Sequence, residues 1–133
     1  MKVVVFLFLS LQNLIAVAAE TPGRPCSEAP SHVEQRSCLE SRYQKAEANL
    51  VRVENRYIEN LTRWKEEPEI RLQSHKAFEA SISAFRAYRS SQCEYFWTLA
   101  ADGNGASDMR LSCAIELTES RIKQLDEYSR TLD

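Results

Sequence analysis

The sequence predicts an all-α fold, an up-down-up three-helix bundle with long antiparallel helices and two disulfides. After residue 30 the chain contains one proline, Pro68, and two glycines, Gly103 and Gly105, so three long segments carry no helix-breaking residue. In each segment apolar residues recur three and four positions apart, which is the spacing of one helix face. Short connections make neighbouring helices antiparallel. Four cysteines in so small a chain predict the two disulfides.

Residues 1–19 have the pattern of a cleaved signal peptide. Lys2 precedes an apolar run over residues 3–17, and Ala16-Val17-Ala18 is the small-x-small pattern that signal peptidase recognises. The run is short for a membrane span, which needs about 20 apolar residues, although a retained anchor is the alternative. We therefore expect a periplasmic or secreted chain that has no membrane contact after cleavage.

The lead-in and the first helix follow from proline positions and one capping pattern. Residues 20–30 hold three of the four prolines and predict an irregular lead-in before a helical domain over residues 31–133. Ser31 and Glu34 fit a capping box at the start of helix 1. Pro68 ends that helix after about 36 residues, a length of roughly 54 Å, because the residue before a proline avoids the helical region.

The second and third helices are separated by a glycine-rich turn. Pro68 suits the first turn of helix 2, the turn covers residues 102–105, and helix 3 is predicted to start at Ser107. The residues expected to face the core are Leu39, Tyr43, Ala46, Leu50, Val53, Tyr57, Leu61 and Trp64 in helix 1, Leu72, Phe78, Ile82, Phe85, Arg89, Cys93 and Phe96 in helix 2, and Ala114, Leu117, Arg121, Leu125, Tyr128 and Leu132 in helix 3.

The cysteine positions favour one of three possible disulfide connectivities. A hairpin folded at Gly103, midway between residues 93 and 113, places Cys93 opposite Cys113. Cys26 precedes helix 1, so the lead-in can fold back onto Cys38, and we expect Cys26–Cys38 with Cys93–Cys113. A hairpin near residue 66 would also allow Cys38–Cys93 with Cys26–Cys113. A zinc site is a weaker alternative, because the chain has no C-x-x-C and export favours oxidation.

Composition and charge argue against several functional classes. The formal charge is −2, from 17 basic and 19 acidic residues, and it becomes −3 when Lys2 leaves with the signal peptide. That balance gives no support for nucleic-acid binding, which needs a basic patch. Neither His32 nor His75 belongs to a sequence pattern typical of a catalytic triad or a metal site. Oxidised cysteines leave no thiol nucleophile. We predict a protein that is not an enzyme and uses no cofactor or metal.

Two strings of residues carry a resemblance to a known family. The first is Cys26, Ala29, Glu34 and Cys38, followed by Glu47. The second is Phe85, Tyr88, Arg89 and Cys93, then the Gly103–Gly105 turn, then Cys113, Leu117, Thr118, Arg121 and Leu125. Together they resemble the LprI-type lysozyme inhibitors over residues 26–128. Phe85 stands where that family usually has tryptophan, and Ser90 where it usually has aspartate. The resemblance implies a secreted helical domain that inhibits lysozyme.

Arg89 and Arg121 fall on the apolar stripes, where a charge is costly unless it is paired. We expect each guanidinium to be a structural buried charge that bonds a carboxylate such as Glu47 or Glu54 on helix 1, or carbonyls near a helix end. The alternative function is a clamp for the carboxylate of a ligand.

The turn after helix 2 is the candidate binding surface. Tyr95, Phe96 and Trp97 cannot all face inward on one helix, so Tyr95 and Trp97 are candidate aromatic contacts, unless they only cover the bundle end. Arg110, just past the turn, offers a cation. The candidate binding loop, braced by Cys93–Cys113, consists of Asp102, Gly103, Asn104 and Gly105.

These features predict a binding protein whose partner is a protein, with a lysozyme as the first candidate. A lysozyme works with two carboxylates in a cleft, so an inhibitor needs only to occlude that cleft. A periplasmic adaptor or immunity module that binds a secreted toxin is the main alternative. A small-ligand carrier is weaker, because the continuous stripes look able to fill the core. The sequence leaves the oligomeric state open.

Overall fold

Three helices and one short turn form the part of the chain that the computed structural model describes, residues 25–100, 103 and 105–132. A single 3₁₀ turn spans Cys26–Glu28, α1 spans His32–Arg63, α2 spans Pro68–Leu99 and α3 spans Ala106–Ser129. The helices run up, down and up, as predicted. α3 packs extensively against both α1 and α2, which contact each other less. The predicted signal peptide, residues 1–19, lies outside the described residues.

The ends of α1 show which sequence signals the helix follows. Ser31 is the N-cap, as expected, and its Oγ accepts a hydrogen bond from the Glu34 amide at 3.3 Å. The helix ends at Arg63, so the expected length of about 36 residues was too long. Trp64 leaves the helical region with ψ 136° and packs against the core, while Arg71 Nη1 donates to its carbonyl at 3.3 Å. α1 therefore ends before Pro68, where the partly buried Trp64 turns out of the helix.

α3 begins one residue earlier than expected and presents a different face to the core. Ala106 is its first residue and is buried, and Gly105 rather than a side chain caps it. The buried residues of α3 are Ala106, Asp108, Cys113, Ile115, Thr118, Ile122 and Leu125. Of the expected stripe only Leu125 is buried, and Tyr128 is exposed. The predicted core-facing side of α3 was wrong because α3 is covered from two sides, by α1 and by α2. In α2, Leu72 and Phe96 were also expected inside but are exposed.

The apolar core is divided into two clusters along the bundle. The larger cluster lies toward the α1–α2 connection and consists of Leu50, Val53, Leu61, Phe78, Ile122 and Leu125. The smaller one lies toward the other end and contains Cys26, Leu39 and Ile115. We call these the lower and the upper cluster.

Polar contacts between α1 and α3 fix the register of the two parallel helices. Arg42 makes a two-pronged contact with Glu119, at 3.0 and 2.8 Å, and this hydrogen bond raises the pKa of Arg42. Arg36 pairs with Asp108 near the start of α3, and Asn60 Nδ2 donates to Ser129 Oγ at 2.7 Å near its end. The exposed Arg42–Glu119 pair contributes about 0–1 kcal/mol, so it selects the register more than it stabilises the fold.

Both disulfides have the expected connectivity and lie at the upper end of the bundle. Cys26–Cys38 ties the 3₁₀ turn to α1, and Cys93–Cys113 ties α2 to α3. The alternative Cys38–Cys93 pairing is therefore wrong, and so is a zinc site built from these thiols, since none of the four cysteines is free.

Replacing Cys93 and Cys113 with alanine should lower the free energy of unfolding by about 3 kcal/mol, because the bridge closes a loop of 20 residues. Urea denaturation followed by circular dichroism measures it. The matched control, Cys26→Ala with Cys38→Ala, opens a loop of 12 residues and should cost about 0.5 kcal/mol less. A loss below about 1 kcal/mol at Cys93–Cys113 would contradict the loop-closure argument.

Candidate functional site

A buried polar contact joins all three helices between the two core clusters. Arg89 on α2 is 9 % exposed, and its Nη1 and Nη2 both donate to the Glu47 carboxylate on α1, the latter at 3.1 Å. Nη1 also donates to Thr118 Oγ1 on α3 at 2.5 Å. The Thr118 hydroxyl in turn donates to the Ala114 carbonyl at 2.6 Å. We call Arg89, Glu47 and Thr118 the polar layer.

The polar layer bears on the alternative role of Arg89 as a ligand clamp. The guanidinium has a carboxylate and a hydroxyl as acceptors within the chain, and the Phe85 ring lies 5.5 Å from its carbon Cζ. A guanidinium enclosed in this way already has its hydrogen-bond acceptors within the chain, so it does not need the carboxylate of a ligand. Thr118, which is fully buried, completes the contact. Its role was missed because a threonine on a helix usually bonds only its own backbone.

Arg121 takes a different set of partners from those expected. It is half-buried, and its guanidinium donates to Ser81 Oγ at 2.9 Å and Gln124 Oε1 at 3.0 Å rather than to a carboxylate. The rings of Phe78 and Phe85 lie 5.9 and 5.7 Å from its Cζ. The aromatic faces therefore take the place of the expected counter-ion.

Two further carboxylates, those of Glu54 and Asp108, are buried. The sequence analysis named Glu54 as an acceptor for Arg89 or Arg121, but its partner is Arg86, and it named no partner for Asp108. Glu54 on α1 is 3 % exposed and accepts from Arg86 Nη2 at 2.7 Å. Asp108, in the first turn of α3, contacts Arg36 and lies 2.9 Å from His32 Nε2. Both ion pairs join elements distant in sequence, so helix periodicity alone could not have found them. Glu54 and Arg86 connect α1 to α2, and Asp108 and Arg36 connect α3 to α1.

The predicted binding loop is only partly described. Gly103 and Gly105 belong to the described residues, whereas Asp102 and Asn104 lie outside them. Gly103 N–H donates to the Ala100 carbonyl at 2.9 Å, and a Cβ at Gly103 would come within 3.0 Å of that oxygen. The close approach explains the glycine. Cys93–Cys113 braces the two helices beside this turn.

The predicted contact residues near the loop differ in exposure. Tyr95 is 56 % exposed, whereas Trp97 is half-buried. The Arg110 side chain is 59 % exposed and its Nη1 lies 3.5 Å from Glu94 Oε2, a loose ion pair. Of these three, Tyr95 and Arg110 are open to a partner.

A groove with a volume of about 520 Å³ opens beside the loop between α2 and α3, and His32 and Gln35 at the start of α1 form part of its lining. The sequence analysis did not anticipate it, since Phe96 and Leu117 were assigned to the core. The lining includes Tyr88, Gln92, Phe96, Met109, Ser112 and Leu117. Exposed apolar surface of this kind usually marks a contact site.

Among the described residues, no group of three or more histidine, cysteine, aspartate or glutamate side chains is placed to hold a metal ion. None of the helices in the described ranges is long and apolar enough to cross a membrane.

A sequence profile described as Lysozyme inhibitor LprI matches residues 26–125. The chain belongs to this family. The matched range includes both disulfides, the polar layer and most of α3. No curated protein and no solved structure matches the chain. Membership in the LprI family indicates a protein that acts by binding another protein, as an inhibitor does, and not by catalysis.

In this LprI family member, several of the residues that carry the resemblance hold the helices together. Arg89, Thr118 and Glu47 form the polar layer, and the four cysteines form the two disulfides. These residues of the family pattern therefore belong to the framework of the bundle, whereas Tyr88 and the two turn glycines of the same pattern are exposed.

Replacing Thr118 with valine should lower the free energy of unfolding by about 1–3 kcal/mol, because the change keeps the side-chain shape but removes an acceptor from buried Arg89. Chemical denaturation measures the loss. Thr98→Val is the matched control, since the exposed Thr98 hydroxyl bonds only its own helix, and it should change stability by less than about 0.5 kcal/mol. Equal effects of the two substitutions would be evidence against the polar layer.

Proposed function

We propose that this protein inhibits a lysozyme by inserting the upper end of the bundle into the enzyme's cleft. The observation that carries the proposal is the LprI match over residues 26–125, which includes nearly all of the described bundle. The chemistry required is modest. A lysozyme hydrolyses cell-wall glycan with two carboxylates in a cleft, so a rigid body that fills the cleft and meets those carboxylates is sufficient.

The upper end has the rigidity that this mode of inhibition needs. Both disulfides lie there, and Cys93–Cys113 holds α2 and α3 together beside the turn that contains Gly103 and Gly105. A loop that is ordered before binding loses less conformational entropy in the complex. This supports the turn as the inserting element.

Arg110 is the candidate cation for the carboxylates of the cleft. It is exposed and is the fifth residue of α3. Its contact with Glu94 is long, at 3.5 Å. A guanidinium donates two parallel hydrogen bonds to a carboxylate, a geometry that the Glu94 contact does not satisfy. Exchange of Glu94 for an enzyme carboxylate would therefore cost little.

Aromatic and aliphatic side chains next to the turn are the candidate anchors. Tyr95 and Leu99 are each 56 % exposed, and half-buried Trp97 lies between them in sequence. Aromatic residues supply a large share of the binding energy at protein interfaces. Tyr95 and Leu99 therefore supply exposed apolar surface near the turn, and Arg110 supplies the cation.

The proposed location follows from the same chemistry. Two disulfides suit an oxidising compartment. Export by a signal peptide over residues 1–19 would bring the mature domain to the periplasm or outside the cell, where cell-wall hydrolases act. Mass spectrometry of the exported protein should find Glu20 or Ala19 as its first residue.

The proposal is tested with the purified, oxidised mature protein titrated into lysozymes of the c, g and i classes acting on a cell-wall suspension. Clearing of the suspension should slow for at least one class. Replacement of residues 103–106 with a flexible linker should abolish that effect. If micromolar protein slows none of the three classes, the inhibitory function is wrong and the adaptor or immunity module becomes the better account.

Arg110→Glu should weaken the inhibition by at least about tenfold, since a like charge would face the carboxylates of the cleft. The inhibition constant in the clearing assay measures this. Arg130→Glu is the matched control, because Arg130 is also exposed but lies at the opposite end of α3, and it should leave the constant within about twofold. A similar loss for both variants would indicate general charge attraction and reject the placement at Arg110.

A further inference from the structure

One face of α2 is exposed and uncharged along almost the whole helix. Its residues follow one another at intervals of three and four, so they form a single stripe on the helix surface. All of them are exposed. They are Ile70, Gln73, Ala77, Ala80, Ala84, Tyr88, Ser91, Tyr95 and Leu99, and we call this stripe the α2 seam.

The composition of α2 does not match its burial within the chain. It has seven charged residues among 32, compared with eleven among 32 in α1, yet it buries only three residues where α1 buries six. Ile70, Tyr88, Tyr95 and Leu99 on the seam are 43–56 % exposed. A helix that is poor in charge and has an uncovered apolar stripe is suited to contact outside its own domain.

We propose that the α2 seam binds the α2 seam of a second copy of this chain, with the two helices antiparallel and a two-fold axis beside Ala84. The side-chain sizes along the seam support a second copy as the occupant. The two seam residues just before the axis, Ala77 and Ala80, are small, and the half after the axis contains the large Tyr88 and Tyr95. An antiparallel pair places each small half against the large half of the other copy.

The register follows from the residue spacing. With Ala84 facing Ala84 of the second copy, Ala80 faces Tyr88, Ala77 faces Ser91, and every seam residue from 73 to 95 meets another seam residue. Each tyrosine ring then lies over an alanine or between a glutamine and an alanine. A two-fold axis produces each of these contacts twice.

Charges beside the seam are complementary in the same arrangement. Lys76 and Glu94 lie on the same flank of α2, eighteen residues apart, which is five full helical turns. In the register above, Lys76 falls opposite residue 92 of the second copy, about 3 Å along the axis from Glu94 of that copy. Flanking charges at such positions pair across antiparallel helices and select their orientation. Each dimer would have two such ion pairs.

The size of the seam predicts a weak dimer. From Ile70 to Leu99 it is about 45 Å long, and a contact strip about 10 Å wide gives roughly 900 Å² over both copies. Specific interfaces usually bury about 1,200–2,000 Å², so the dissociation constant should fall in the range of tens of micromolar. The dimer does not depend on lysozyme binding, although Tyr95 and Leu99 belong to both surfaces.

Sedimentation velocity of the mature, oxidised protein from about 1 to about 500 µM tests the proposal, a range chosen to bracket a weak interface. The expected result is a rise from the monomer mass toward twice that mass. Ala84→Arg should remain monomeric throughout, because it sets two like charges at the axis. Ala48→Arg is the same change at an exposed position on α1 and should dimerise as the wild type does. A monomer at every concentration, or equal behaviour of the two variants, overturns the proposal.

A charge exchange tests the antiparallel register. Lys76→Glu alone should raise the dissociation constant severalfold, because two acidic pairs replace two ion pairs. Adding Glu94→Lys to the same chain should restore a value near that of the wild type, because the nearby Arg110 is exposed and its repulsion of the new lysine is screened by solvent. Failure of the second change to restore dimerisation overturns the antiparallel arrangement. Circular dichroism confirms that each variant keeps its helical content.

Discussion

The arrangement of this bundle depends on the enclosure of one guanidinium, that of Arg89. A buried cation is tolerated only where acceptors surround it, and here one acceptor comes from each of the other two helices, Glu47 on α1 and Thr118 on α3. A shift of either helix by one turn would leave the charge or its carboxylate unpaired in the interior. Apolar packing alone tolerates such shifts more easily, so the polar layer selects one register from several of similar hydrophobic burial.

The polar layer also explains why both disulfides lie at the same end. It separates a lower cluster of six buried apolar residues from an upper cluster of three, two of the three being aliphatic and the third Cys26. The lower end is held by its own burial, whereas the upper end buries too little and is held by covalent bonds at Cys26–Cys38 and Cys93–Cys113. An end that is rigid without a large core can devote its remaining apolar side chains, such as Tyr95, to partners.

The sequence predicted the number, order and direction of the helices and both disulfides, because proline and glycine positions and cysteine spacing are local signals. It placed Arg89 inside and named Glu47 among its acceptors. It did not find the core face of α3, since a helix covered from two sides has a wide apolar arc whose centre the pattern does not mark. The contacts of Asp108 and the groove beside Met109 depend on side chains brought together from distant parts of the chain, and periodicity contains no signal for them.

The most direct test of this account is the coupling energy between Glu47 and Arg89. A double-mutant cycle with alanine substitutions, followed by chemical denaturation, measures it. Glu47→Ala leaves the buried Arg89 charge unpaired and should cost about 3–5 kcal/mol, whereas Arg89→Ala leaves a Glu47 side chain that is 33 % exposed and should cost less. The double substitution removes both charges and should cost less than the sum by about 2 kcal/mol or more. A coupling below about 0.5 kcal/mol, with the two losses simply adding, would show that the polar layer does not hold the three helices together.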